Sequence, residues 1–350
     1  MTIRPRGRRR LRFGQFSPVD YPGLNGDKHL VATRLDIERS LLMVGYANAG
    51  SATATVGPWR AQLLSAMVQG YLNSDLSPSS YFLALEPSER VSMTFLLAQG
   101  FTHWAADAHM SVPILMHLKG TSPRWTLTSA PFVRKAGAGS VKPKGRPDFI
   151  GIASGAYHVF EAKGRSLQAS SSSRSSTVAA RCMSQALAQV SRIATVGGAQ
   201  PKTRTAAVWV LRPGGLRGFV TDPPAAQLAY DLTFDLSAAI LKYYRVVLDL
   251  AEEARSARGI RLVRLTLSET RRLIIEADLL ETLRGLANGR TSAADVLQYL
   301  EKREAIYRRG RRFASGRKGL AFGLDGIGLV GNDDRDPRPK PMEERPVEIR

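Results

Sequence analysis

Two short apolar runs, joined by a small-residue turn and flanked by acids, constrain this chain more than any other feature. Pro147-Asp148 opens the unit. Phe149-Ile150-Gly151-Ile152-Ala153 and Ala156-Tyr157-His158-Val159-Phe160 form its arms, and Glu161-Ala162-Lys163 follows. Ser154-Gly155 suits a two-residue hairpin turn. That turn pairs Ala153 with Ala156, Ile152 with Tyr157 and Ile150 with Val159, and brings Asp148 opposite Glu161. A three-residue turn would put Asp148 opposite Ala162 instead. Side chains alternate faces along a strand, so Asp148, Glu161 and Lys163 share one face of the two-residue hairpin. Opposed residues have Cβ atoms only ~4.5–5.5 Å apart.

Two carboxylates at that distance repel unless a cation stands between them. The neighbouring Phe149, Ile150, Ile152, Val159 and Phe160 predict a buried sheet, and a buried acid pair needs a partner. Mg²⁺ takes oxygen ligands, often only one or two carboxylates, and keeps several waters. Mn²⁺ is an alternative occupant. Such an ion polarises a phosphoryl oxygen and lowers the pKa of water. Lys163, one strand period beyond Glu161, is placed to hold the attacking water or to stabilise transition-state charge.

GRPDFIGIA…YHVFEAKGRS resembles the core motif of the PD-(D/E)XK nuclease superfamily, across about residues 110–220. The resemblance implies a restriction-endonuclease-like α/β core, a central mixed β-sheet flanked by helices. It makes Asp148 and Glu161 the metal-binding acids, Lys163 the catalytic lysine and the Ala162 carbonyl a further metal ligand. Nucleases of the RecB-type branch carry a Gln-x-x-x-Tyr pair on the following helix. Here the pair is Gln185 and Gln189, so Gln185 fits that pattern and Gln189 departs from it. Related nucleases often add an acid from the preceding helix, which points to Asp107 or Glu89.

Charge supports the same chemistry. The chain of 350 residues carries 50 Lys+Arg against 30 Asp+Glu, a net charge of +20. Arg4, Arg6, Arg8, Arg9, Arg10 and Arg12 form one cluster, and Lys302 to Lys318 contains another. Arg134, Lys135, Lys142, Lys144 and Arg146 lead into the catalytic strand without an acid among them, and Arg165 follows it. Such positions suit phosphate contacts, which are salt-dependent and largely sequence-independent. DNA is the expected partner, RNA the alternative, and a non-catalytic nucleic-acid-binding protein on the same fold the competing reading. Exo or endo cleavage and the oligomeric state are not encoded in any motif here. No GxxxxGK[ST] phosphate loop and no GxSxG elbow occurs. The single cysteine, Cys182, excludes an internal disulfide and is expected in the core. No apolar run approaches the ~20 residues of a membrane span, and a cytoplasmic protein is expected.

Periodicity divides the chain. Residues 1–26 read as a basic flexible arm and 27–110 as mainly helical, with Ser88–Ala105 one amphipathic stretch. The nuclease-like core spans 111–222. Val112–Leu118 and Trp125–Leu127 are expected as its early strands, and a helix from about Thr177 to Ala194 follows the hairpin. Residues 206–211 form a continuous apolar run, as expected for a strand covered on both faces. Residues 223–331 read as a mainly helical, α+β C-terminal region. It has long helices over 235–254 and 268–286, a helix capped by Thr291-Ser292 through Tyr307, and a closing hairpin at Asp325-Gly326. Residues 332–350 read as a disordered tail. His103, His109 and His117 are spaced wrongly for one helix face, and Tyr243-Tyr244 is expected to pack.

Overall fold

The computed structural model describes residues 9–29, 31–44, 56–118, 123–127, 146–167, 172–213, 215–223, 230–251, 262–314 and 319–331. The chain begins with β1 (Arg9–Gly14), β2 (Gly26–His29), α1 (Arg34–Met43), α2 (Val56–Tyr71), α3 (Ser80–Ala84) and α4 (Pro87–Met110). Next come β3 (Ile114–His117), β4 (Arg124–Leu127), β5 (Phe149–Ala153), β6 (Ala156–Ser166), α5 (Ser172–Val190), β7 (Ile193–Val196), β8 (Thr203–Arg212) and β9 (Gly215–Thr221). The last part holds β10 (Tyr230–Thr233), α6 (Leu236–Tyr243), α7 (Arg245–Ala251), β11 (Leu262–Thr266) and β12 (Arg271–Glu276). It ends with α8 (Ala277–Ala287), α9 (Ala293–Ala314), β13 (Leu320–Phe322) and β14 (Ile327–Gly331).

Among the described residues, seven strands form one sheet in the order β2-β1-β9-β8-β6-β5-β3. β6 runs parallel to β8 and β1 parallel to β9, while the other neighbours are antiparallel. The protein is therefore α/β, a large mixed sheet flanked by helices. β8 shows why both faces are covered. Trp209 stacks on Phe101 of α4 with ring centroids 5.1 Å apart, and its Nε1 donates to Thr102 Oγ1 at 2.9 Å. Val208 and Val210, on the opposite face, pack with Ala179 and Cys182 of α5. Cys182 is in the core, as expected. Each such side chain, fully buried, contributes about 1.5–3 kcal/mol.

α4 matters most for the site. Pro87 occupies its first position, which suits a residue without an N–H, and the Glu86 carboxylate accepts from the Ser88 N–H. The helix ends at Ser111 in the left-handed region, φ 57°. Its first half lies hard against β6 at Gly164, where an added Cβ would sit 2.4 Å from the Thr94 carbonyl oxygen. Only a glycine lets the backbones approach this closely. Gly164→Ala is expected to push α4 off the strand at a cost of about 1–3 kcal/mol, read from chemical denaturation. An unchanged midpoint would show that the helix shifts freely.

Several expectations are corrected. The supposed flexible arm contributes β1, an inner strand whose Leu11 and Phe13 are buried. Its four arginine-bearing and apolar positions alternate, and the arginine count masks that period of two. Residues 1–8 lie outside the described residues, as do 332–350. Residues 27–110 open with the end of a strand rather than a helix. Trp125–Leu127 falls in β4, outside the main sheet, in a separate sheet of order β4-β10-β7. The helix after the hairpin stops at Val190, and Ile193–Val196 is β7, parallel to β10. The expected helix from Asp235 divides at Tyr244 into α6 and α7, and 252–254 lie outside the described residues. The expected helix from Ser268 begins as a strand, β12, because Leu273 and Ile275 are buried between β11 and β14. The C-terminal region is mainly helical among the described residues, through α6, α7, α8 and α9, and it also carries a four-stranded sheet, β11-β12-β14-β13. Ser292 caps α9 as expected, accepting from the Asp295 N–H at 3.3 Å, but the helix runs on to Ala314. The Asp325-Gly326 hairpin closes β13 on β14.

Candidate active site

The β5–β6 hairpin has the two-residue register. Ala153 pairs with Ala156, Ile152 with Tyr157, Ile150 with Val159 and Phe149 with Phe160. Ser154 and Gly155 both have positive φ, 46° and 69°, which the tight turn requires. β5 begins only at Phe149, opposite Phe160, but β6 continues to Ser166, paired with β8 as far as Ser166–Leu211. From Glu161 onward, β6 therefore has β8 on one side and, among the described residues, no strand on the other. The candidate site lies on that free edge.

Asp148 closes the start of the edge. Its Oδ2 accepts from the Ala162 N–H at 3.1 Å, and its own carbonyl accepts from Leu118 N. A strand residue's N–H and C=O project to the same side, so the Ala162 carbonyl also faces the free edge. Glu161 is wholly buried. Its Oε1 accepts from the Lys163 ammonium, and its Oε2 is buried without a hydrogen-bond partner. Burial, and then the neighbouring Asp148 carboxylate, push the Glu161 carboxyl up to about 8, while Lys163 opposes the rise. Asp148 is raised too, by burial first, against the pull of the Ala162 N–H and Lys163. Without a cation the pair titrates as a unit, retaining a proton near neutral pH.

These features fit a divalent ion. A buried, unpartnered carboxylate oxygen is costly, and an oxygen-preferring cation held by Asp148, Glu161 Oε2 and the Ala162 carbonyl would satisfy it. Among the described residues no cluster of three or more His, Cys, Asp or Glu side chains forms a metal site. Two carboxylates with waters suffice for Mg²⁺.

Linkage gives the pH dependence its sign. Glu161 keeps its proton in the folded state up to about 8, whereas the unfolded chain releases it near the ordinary 4.5. The folded state binds more protons across that window, so metal-free stability falls as pH rises through it. A divalent ion must displace the proton. Thermal unfolding in EDTA should therefore show a falling midpoint from about pH 5 to 8, and Mg²⁺ should restore more at pH 8 than at pH 6. Equal Mg²⁺ shifts at both values would dissociate the pair from metal binding.

The other sequence-derived residues divide. Gln185 of α5 is exposed and lines a cleft of about 580 Å³ with Ala162, Lys163, Gly164 and Arg165. Gln189 Nε2 donates to the Arg146 carbonyl at 3.2 Å, tying α5 to the chain two residues before Asp148. Arg165 is exposed, its Nη1 on the Gly164 carbonyl. Arg146 lies over the Trp125 ring at 5.8 Å. Arg134, Lys135, Lys142 and Lys144 lie outside the described residues.

Asp107 is corrected. It stands near the C-terminal end of α4, buried and paired with Arg39 and Arg311, with its Oδ1 accepting from Leu324 N. Phe95 of the cleft is twelve residues away, about 18 Å along the helix. Glu89 sits on the exposed first turn of α4, one turn before Ser92 of the cleft. Tyr243 and Tyr244 are buried and pack edge to face, as expected. His103 bonds to Tyr243, and His109 packs on Phe13 and Trp104. In the third basic cluster, Arg303 pairs with Glu276 and Arg311 with Asp107. The sequence reading missed the α4 wall of the cleft, Val91, Ser92, Phe95 and Leu96. The signal was there: Val91 and Phe95 are one turn apart and fall beside the buried arc of Arg90, Thr94, Leu97 and Phe101.

No protein-family model matches the chain, and neither curated proteins nor solved structures provided a match.

Proposed function

We propose that the protein is a metal-dependent nuclease that hydrolyses phosphodiester bonds of DNA. The observation that carries this reading is the pair of half-buried Asp148 and buried Glu161 on a strand edge that has no strand partner among the described residues, with an unsatisfied Glu161 oxygen and the Lys163 ammonium beside it. A mixed sheet with this pair at the end of an antiparallel hairpin agrees with the restriction-endonuclease-like core that the PD-(D/E)XK motif implies. Asp148, Glu161 and the Ala162 carbonyl would hold Mg²⁺ or Mn²⁺. When bound, the ion supplies Lewis-acid polarisation of the phosphoryl group and a more acidic water.

The chain's own residues do the rest. Lys163 is fixed by Glu161 and only partly exposed, so its charge is held where negative charge develops. Gln185 lies across the cleft from the strand and can donate its amide to a substrate oxygen. Arg165 stands two residues past Lys163 on the same face, in reach of a neighbouring phosphate. Excess positive charge over the whole molecule draws a polyanion toward the cleft. Incubation of supercoiled and linear DNA with Mg²⁺, against EDTA, tests the reading. Cleavage confined to the Mg²⁺ arm is expected. No cleavage of DNA or RNA with Mg²⁺ or Mn²⁺ would leave the non-catalytic binding protein as the better account.

A further inference from the structure

The cleft beside Lys163 has two unlike walls. One is the strand edge, with Lys163 and the exposed Arg165. The other is the first half of α4, where Val91 is 60% and Phe95 46% exposed. Both are far more exposed than an apolar residue needs to be on a helix that is buried from Leu97 to Asp107. Four residues apart, they form one continuous patch along the helix. Gly164 holds that patch against the strand, since its missing Cβ allows Thr94, the residue before Phe95, to touch β6. The cleft thus gathers both kinds of wall at the edge of β6: Lys163 and Arg165 leave the strand on the α5 face, and the aromatic and aliphatic patch of α4 lies on the other.

That pairing discriminates between nucleic-acid forms. A base within a duplex presents only its edges, because its faces are covered by stacked neighbours. An unpaired base presents a face, which stacks on an aromatic ring whatever its sequence. We infer, on the basis of the nuclease reading, that this cleft takes an unpaired nucleic-acid strand, with Phe95 as a platform for a base and Lys163 and Arg165 beside its phosphates. The charge complementarity of the two cations with a phosphodiester backbone selects this occupant over an apolar peptide. The enzyme would then act on single-stranded DNA, flaps or frayed ends in preference to intact duplex.

The test uses the full chain in EDTA, so that cleavage plays no part. Single-stranded oligonucleotides carrying 2-aminopurine report stacking through quenched fluorescence. Quenching is expected with the wild type. Phe95→Ala should lose it and weaken binding about ten-fold, the loss of one stacked base. Phe95→Trp should restore both. Closed circular duplex, which offers no ends, should compete at least ten-fold more weakly per nucleotide. The inference is overturned if Phe95→Ala binds and quenches like the wild type, or if closed duplex competes equally. The nuclease reading stands or falls separately. Phe95-dependent quenching with no cleavage in Mg²⁺ would keep the strand site and remove the nuclease. Cleavage without Phe95-dependent binding would do the reverse.

Discussion

Asp148→Ala and Glu161→Ala are each expected to lower Mg²⁺-dependent cleavage by about 10³-fold or more, since a bound ion supplies several kcal/mol of transition-state stabilisation. In the proposed site both acids share one ion, so the double variant should be scarcely worse than either single one. Binding of DNA should survive, because neither substitution removes a cation from the phosphate path. Loss of fold can be separated from loss of chemistry. Glu161 is wholly buried and held protonated up to about 8 without metal. Glu161→Gln therefore removes an unfavourable buried charge and should raise metal-free stability at pH 8 while abolishing cleavage. Single-turnover cleavage and thermal unfolding on the same preparations measure both. Wild-type rates in either alanine variant, or undiminished cleavage by the wild type in EDTA, would sink the assigned chemistry.

What was legible in the sequence follows from locality. The hairpin could be read to the residue because its strands alternate with a period of two and a single turn fixes their register. Asp148 and Glu161 therefore met as expected. β8 was legible as an unbroken apolar run, and the buried Cys182 as part of a helical stripe. β1 was not legible, because arginines at alternate positions made a strand look like a charged arm. What tells the two apart is β9, some two hundred residues later, and its pairing is invisible locally. β12 was hidden for a similar reason: Leu273 and Ile275 also fit a helix, and only β11 and β14 decide otherwise. The α4 wall of the cleft left a local signal, Val91 and Phe95 one turn apart beside the buried arc, but that spacing does not say which element the face meets. Asp107 was misplaced by nearness in sequence, since its true partner, Arg39, lies 68 residues upstream.

That partner sets up the second large effect. Arg39 is buried between two acids: it bonds Asp325, lies 3.5 Å from Asp107 Oδ2, and donates its Nε to the Ile327 carbonyl at 2.8 Å. Asp325 also accepts from the Tyr243 hydroxyl at 2.7 Å, and its carbonyl from Tyr244. One guanidinium thus joins α1, the end of α4 and the β13–β14 hairpin. Gly323 leaves it room, because a Cβ there would overlap the guanidinium nitrogens. Burial pushes the Asp325 carboxyl up, and Arg39 is the chief influence pulling it back down. Arg39→Met should therefore cost about 3–5 kcal/mol, because it leaves the buried Asp325 carboxylate uncompensated, and Asp107 with Arg311 alone, rather than merely deleting a contact. Against a total of ~5–15 kcal/mol for a typical domain, that is a large share. Adding Asp325→Asn should recover part of the loss, a non-additivity expected of groups in direct contact. The proposed cleavage site stands at the other end of α4, so the folded fraction of Arg39→Met should cut DNA at the wild-type rate in the cold. A loss below about 1 kcal/mol would mean that water or rearrangement satisfies the two acids. A folded but inactive Arg39→Met would instead return Asp107 and its partners to the catalytic site.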